Sequence, residues 1–115
     1  MIGHKALYDL LKTLTIQITP YESKNIPVAY NHFDSDKNVD IPFIVYRETS
    51  PDTFRADGIT YHQFFNYEIE LITEKKEIAL ERQIESLLTT NNIPYEKYDE
   101  VWDSDEKIYH NFYEI

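Results

Sequence analysis

The sequence contains no cysteine, which excludes disulfides, thiolate nucleophiles and zinc or iron–sulfur sites built on cysteine. Its only glycines are Gly3 and Gly58, so a glycine-rich phosphate loop is excluded as well. No apolar run approaches the roughly 20 residues that span a bilayer, and no basic segment precedes an apolar stretch at the N-terminus. We therefore expect neither a membrane span nor a signal peptide. Together with the absence of cysteine, this leads us to expect a cytoplasmic protein.

Positive charge is scarce: 11 lysine and arginine residues stand against 21 aspartate and glutamate residues, and the formal net charge is −10. Proteins hold nucleic acids mainly by placing Lys and Arg against phosphates, so we expect no tight nucleic-acid binding. The 115 residues are 42% hydrophobic and 15% aromatic. This composition excludes a disordered chain, and the length predicts a single domain, residues 1–115, with its own core.

Hydrophobic periodicity predicts two helices and five strands. Leucines at helical spacing from Leu7 to Leu14 indicate a helix over residues 5–14, and the stripe from Leu80 to Leu88 indicates another over residues 74–88. The clearest strand alternates apolar residues with Asn66, Glu68 and Glu70. The predicted strands are residues 28–33, 43–47, 61–72, 95–102 and 107–115.

This order of elements, α-β-β-β-α-β-β, indicates an α+β fold because the strands occur in runs rather than in strict alternation with helices. We expect one antiparallel or mixed β-sheet with both helices packed on one face. The polar residues 21–25, between Pro20 and Pro27, are predicted to form a loop. Residues 50–60 are predicted to form a long connection between two strands.

One acidic spacing is suggestive of a calcium loop. Asp34, Asp36, Asn38 and Asp40 occupy the first, third, fifth and seventh positions of such a loop. The sixth position requires Gly but is Val39, and the twelfth requires a bidentate Glu but falls inside a predicted strand. A solvated turn is therefore the better interpretation, and we expect no metal site.

Catalytic patterns are equally weak. Glu68 and Glu70 share one strand face about 7 Å apart, a separation found in inverting glycosidases, but a solvent-facing or partner-facing surface explains them better. The histidines have no metal-ligand spacing, and His62 with His110 is expected to form a cross-strand polar pair. With no Gly-x-Ser-x-Gly elbow either, we expect no catalytic residues, no cofactor and no enzyme.

Four segments of the chain form a long predicted strand leading into a helix, then a Pro-Tyr-Glu-Lys-Tyr segment and a final strand. They are YHQFFNYEIELITEKKE (residues 61–77), LERQIESLL (80–88), IPYEKY (93–98) and IYHNFYEI (108–115). In these segments the chain resembles small tail-completion proteins of long-tailed phages or prophages of Gram-positive bacteria. The resemblance covers roughly residues 42–115 and, more weakly, the first helix.

The resemblance implies a tail terminator or head–tail joining protein, without catalytic residues, whose fold is a sheet flanked by two helices. Such proteins act as hexameric rings, so the implied partners are further copies of the chain, the tail tube and the neck or connector proteins. The implied location is the host cytoplasm during assembly and then the tail–neck junction of the virion. Six copies would carry about −60 charges, which suits a ring through which DNA passes without sticking.

The interface residues are predicted from physical chemistry alone. Phe54 and Arg55, in the long connection, are residue types favoured at interfaces, and replacing both with Ala is expected to weaken oligomerisation without unfolding the domain. Tyr109 and Phe112 lie in the closing strand, whose edge another subunit could extend. Three alternatives stay open: another neck component, an acidic DNA-mimic or other inhibitory binding protein, and a small hydrolase or nuclease.

Overall fold

The computed structural model describes residues 2–34, 39–49, 55–56, 59–60 and 67–115. At Ile18 and at residues 55, 56, 59 and 60 it describes the backbone alone. These residues form two α-helices and nine strands. The helices are α1 (His4–Leu11) and α2 (Ile78–Thr90). The strands are β1 (Thr15–Thr19), β2 (Glu22–Asn25), β3 (Val28–Tyr30), β4 (Phe43–Glu48), β5 (Arg55–Ala56), β6 (Ile59–Thr60), β7 (Tyr67–Thr73), β8 (Glu96–Asp103) and β9 (Ile108–Glu114).

Five strands form the main sheet, in the order β3-β4-β7-β9-β8. Strand β3 is parallel to β4, whereas the other neighbours are antiparallel, so the sheet is mixed. These five strands coincide with the five predicted from the sequence, and the α+β class with its order of elements is confirmed. The predicted strand at residues 61–72 is described only from Tyr67 onward, because residues 61–66 lie outside the described part of the chain.

Both helices pack on the same face of this sheet. Buried leucines and isoleucines one turn apart, such as Leu7 with Leu11 and Leu80 with Ile84, form the apolar stripe of each helix. They meet the alternate, inward-pointing residues of the three central strands. The shared core contains Leu7, Leu11, Leu14, Ile26, Ile44, Tyr46, Tyr67, Ile69, Leu71, Leu80, Ile84, Leu88, Tyr113 and Ile115.

The prediction of a loop at residues 21–25 is wrong, because Glu22–Asn25 pairs with Thr15–Thr19 in an antiparallel hairpin. All four residues of β2 are exposed, so no alternation of apolar and polar residues marks this strand in the sequence. The hairpin is tied to α2 by the Gln83 side chain, which accepts a hydrogen bond from the Thr15 N–H and donates one to the Thr15 carbonyl, both at 3.0 Å.

Within the predicted connection at residues 50–60, Arg55 pairs with Thr60 and Ala56 with Ile59 as a short antiparallel ladder. The two residues between these strands in the sequence are Asp57 and Gly58. Asp-Gly is a dipeptide typical of two-residue hairpin loops. The connection therefore contains a strand pair of its own, which the sequence analysis did not predict.

The helices do not reach the opposite face of the sheet, which we call the open face. Its side chains alternate with those of the core, and one corner is apolar, with Val45, Ile72 and Ile108 buried together against Phe33 and Phe43. The rest of the open face carries charged side chains together with the aromatic rings of Tyr98 and Phe112. Neither α1 nor α2, the two helices of the described residues, is long and apolar enough to cross a membrane.

Candidate functional site

A row of charged and polar side chains crosses the open face from β4 to β8. At its start, the Arg47 guanidinium donates to the Glu68 carboxylate through Nε at 2.9 Å and also through a terminal nitrogen. The same terminal nitrogen lies 3.3 Å from Oε1 of Glu70. The hydrogen bond to Glu68 raises the pKa of Arg47, so this cation stays charged throughout the accessible pH range.

The row continues on both sides of this ion pair. Nδ1 of His110 in β9 lies 2.5 Å from Oε2 of Glu70, and the Tyr98 hydroxyl of β8 donates to Oε2 of Glu68. Burial and the hydrogen bond to Glu68 raise the pKa of Tyr98, so its hydroxyl remains a donor at neutral pH. Four strands are thus joined on this face by side-chain contacts beyond the backbone ladder.

The arrangement engages both glutamates that the sequence analysis considered as a catalytic pair. Glu68 holds Arg47 and Tyr98, and Glu70 holds Arg47 and His110. A general acid or base must reach a substrate proton with its own hydrogen-bonding atoms. Here those atoms bind neighbouring side chains, which fits a structural network on a sheet surface.

A hollow of about 520 Å³ lies beside this row. Phe33, Phe43 and Val45 form an apolar wall, and the Glu70–His110 pair lies at the rim. A second groove, of about 610 Å³, lies between α1, the turn after α2 and the C-terminal end of β9. Its apolar lining residues include Ile2, Leu10 and Ile115. Its acidic residue, Asp9, already pairs with Lys5 in α1 and with Lys12, the residue that follows α1.

The prediction of a free sheet edge at the closing strand is wrong. Strand β9 lies between β7 and β8, so both of its sides are already paired, and among the described strands the edges of the sheet are β3 and β8. The order of strands in a sheet depends on long-range pairing, which local periodicity does not specify. The interface role predicted for Tyr109 and Phe112 stays a prediction: Tyr109 packs on Trp102 at 4.5 Å between ring centres, and Phe112 packs on Tyr98 at 5.8 Å.

The other two predicted interface residues cannot be placed in the same way. Phe54 lies outside the described residues, and Arg55 is described only by its backbone in β5. His62 also lies outside them, so the expected pair of His62 with His110 stays a prediction; Nδ1 of His110 contacts Glu70.

Strand β8 carries three large side chains that remain exposed although they lie in a sheet. Tyr98 is 41% exposed, Val101 43% and Trp102 47%. The pairing of Val101 with His110 and of Trp102 with Tyr109 places these two residues on opposite faces of the sheet. This exposed strand was predicted as a strand, but its position at the edge was not.

Four charged side chains attach α2 to β8. The Glu81 carboxylate is nearly buried, and the Nζ atoms of Lys76 and Lys97 lie 2.8 Å and 2.6 Å from its oxygens. The same lysines lie 2.5 Å and 2.6 Å from the Glu100 carboxylate. These hydrogen bonds lower the pKa of Glu100. Burial alone would lower the pKa of Lys76, but its hydrogen bonds to Glu100 and Glu81 outweigh burial and raise it.

The described ranges contain no group of three or more acidic, histidine or cysteine side chains placed to hold a metal ion. The suggestive acidic loop runs from Asp34 to Asp40, but its residues 35–38 lie outside those ranges. The turn interpretation of that loop therefore stays a prediction.

Comparisons with protein-family models, with curated proteins and with solved structures yield no significant match to this chain.

Proposed function

We propose that this protein is a non-enzymatic assembly component of a long-tailed phage or prophage, a tail terminator or head–tail joining protein that works as a ring at the tail–neck junction. The observation that carries the proposal is the architecture: a single main sheet with both helices on one face. This architecture is compatible with the sheet flanked by two helices that the resemblance of roughly residues 42–115 to tail-completion proteins implies. The resemblance rests on residue patterns and the architecture rests on strand pairing. Both support the proposal.

The chemistry of the open face supports a structural role. Arg47 pairs with the adjacent carboxylates of Glu68 and Glu70, and Tyr98 and His110 contact their remaining oxygens. Such a network stiffens the sheet across four strands. Rigid sheets with exposed aromatic side chains suit a part whose work is to contact other proteins.

The charge distribution supports a passage for DNA. Residues 67–115 contain 13 acidic and 5 basic residues, so most of the net charge of −10 lies in the C-terminal part of the chain. In our proposal this part faces the channel of the ring, where negative charge repels the phosphate backbone and prevents DNA from adhering during its transit.

Deleting the gene in the phage or prophage that encodes the protein tests the proposed function. We expect filled heads and tails that fail to join, or tails of uncontrolled length, in electron micrographs of the lysate, and supply of the intact gene in trans is expected to restore joined particles. Normal, infectious virions from the deletion strain would refute the proposal.

One alternative function has an observation in its favour. An acidic DNA-mimic also concentrates carboxylates, as residues 67–115 do. However, a mimic must display its charges freely, whereas Glu81, Glu85 and Glu100 are held by lysine or arginine side chains. A mimic would displace duplex DNA from a DNA-binding protein of the host in an electrophoretic shift assay, and we expect no displacement.

A further inference from the structure

Strand β8 presents a long unpaired edge. It has eight residues, Glu96–Asp103, and is the last strand of the main sheet, with β9 as its hydrogen-bonded neighbour. In the part of the chain that the structure describes, no strand lies against its outer side. An edge of this kind offers backbone N–H and C=O groups to which an extended segment can add as a further strand.

The charges along this edge argue against a second copy of β8 as the added strand. Glu96, Asp99, Glu100 and Asp103 lie in the strand, against Lys97 as its only cation. Two such strands side by side would place carboxylates opposite carboxylates, which is destabilising. An added strand that carries lysine or arginine would instead place cations opposite Glu96 and Asp99, whereas Glu100 is already held by Lys76 and Lys97.

Exposed aromatic side chains favour the same kind of segment. Tyr98 lies on the open face, where its hydroxyl reaches Glu68, and Trp102 lies on the other face, where it packs on Tyr109. Each ring is held in place by a contact with a neighbouring strand and still has an exposed surface. Side chains on either face of an added strand would therefore meet an aromatic ring, and a cation over a ring gains additional attraction.

The edge is protected in the absence of such a segment. The pairing with β9 is irregular between Lys97 and Asp99, and a carboxylate oxygen of Asp99 accepts a hydrogen bond from the N–H of Glu100 at 2.8 Å. A bulge and charged side chains are common means of preventing edge-to-edge aggregation. Of these two features, the carboxylates discriminate by charge, because they repel an acidic strand and attract a cationic one.

We propose that the outer edge of β8 binds an extended, lysine- or arginine-bearing segment of a different protein, which adds to the main sheet as a sixth strand. The proposal goes beyond the assembly function and does not depend on it. It assigns both the surface and the chemistry of the partner: a cationic segment with alternating charged and β-branched residues.

The test uses the full chain and three synthetic peptides of eight residues with blocked termini. One alternates lysine with valine, the second alternates glutamate with valine, and the third alternates lysine with proline. The third has the charge of the first but cannot supply the backbone donors that a strand needs. We expect only the Lys-Val peptide to bind in calorimetric titrations. We also expect amide shifts and slowed hydrogen exchange at residues 96–103 in its NMR spectra.

Matched variants locate the site. Replacing Glu96→Lys together with Asp99→Lys is expected to weaken binding of the Lys-Val peptide about tenfold or more, because attractive cross-strand pairs become repulsive. The control, Glu22→Lys with Asp34→Lys, changes the net charge equally at two exposed positions outside β8, and we expect binding within about twofold of the unmodified chain.

Three results would overturn the proposal: no binding of the Lys-Val peptide, equal binding of the Lys-Pro peptide, or amide shifts located outside β8. Equal weakening in the two double variants would also overturn it, since binding would then follow net charge rather than the edge. None of these results depends on the deletion phenotype, so the two proposals fail independently.

Discussion

The attachment of α2 to β8 allows a sharp test by double substitution of Lys76 and Lys97. The Glu81 side chain is only 6% exposed, and each lysine lies within 3 Å of one of its oxygens. Either Lys→Met substitution alone leaves the buried carboxylate with one cation. We expect each single substitution to lower the free energy of unfolding by about 1 kcal/mol, the net contribution of one typical hydrogen bond, because the remaining lysine still pairs with the carboxylate.

The double substitution Lys76→Met with Lys97→Met removes both cations and leaves a buried, unpaired carboxylate. Breaking a buried ion pair in this way costs about 3–5 kcal/mol, so we expect a loss well above the sum of the two single losses. For a chain of this length the corresponding fall in Tm is about 4 °C per kcal/mol, or roughly 12–20 °C. Urea and thermal unfolding followed by far-ultraviolet circular dichroism measure both quantities.

Two controls separate this reasoning from a general loss of charge. Lys5→Met removes a highly exposed lysine that pairs with Asp9, and we expect no resolvable change in the free energy of unfolding because solvent screens this pair. Adding Glu81→Leu to the double variant removes the unpaired carboxylate and is expected to restore most of the lost stability. An additive double variant, or one that the leucine fails to rescue, would refute the description of Glu81 as a buried charge held by two lysines.

Three further predictions concern the other polar contacts. Because the lysines lower the pKa of Glu100, its carboxylate stabilises the fold above its ordinary pKa of 4.5, and this stabilisation is lost as the pH falls below that value. In Glu100→Gln we therefore expect the free energy of unfolding, measured with urea, to fall less steeply as the pH is lowered into the acid range. An unchanged fall would contradict this. Arg47→Met leaves the partly buried Glu68 and Glu70 without their guanidinium and is expected to lower the free energy of unfolding by about 2 kcal/mol. With Arg47→Lys we expect a smaller loss that is still measurable, because lysine lacks the planar fork. A lysine variant as stable as the unmodified chain would count against this geometry. Burial raises the pKa of Tyr46 to about 12, so the neutral form is favoured in the fold and stability is lost as the pH rises above about 10. We expect part of the tyrosinate absorbance at 295 nm to appear only with alkaline unfolding, and smooth titration of all ten tyrosines in the folded chain would exclude this.

The secondary structure of the main sheet was largely predictable because burial imposes a period. Tyr67, Ile69 and Leu71 are buried on the core face while Glu68 and Glu70 point away, and this alternation is visible in the residues themselves. Strand β2 is exposed along its whole length, so pairing with β1 leaves no comparable mark. Local patterns therefore identified the five strands of the main sheet and missed the two short strand pairs outside it, β1 with β2 and β5 with β6.

The candidate site was much less predictable. Glu68 and Glu70 were recognised as neighbours because they share one strand, but their partners Arg47, Tyr98 and His110 come from three other strands. Which strands are neighbours depends on pairings that span up to some 45 residues of sequence, as between Glu68 and Glu114. The same limit explains why a free edge was expected at β9 and belongs to β8.

The sequence by itself determined the class of fold, the two apolar helix stripes and the acidic composition, since periodicity and charge are properties of residue order and content. The tertiary structure decided where the acidic residues lie relative to one another. It turned Glu68 and Glu70 into partners of one arginine, and it left Glu96 and Asp99 on an unpaired edge. The physical reason is that pairing energy and the repulsion between like charges depend on distance in space, which strand order sets and local sequence does not.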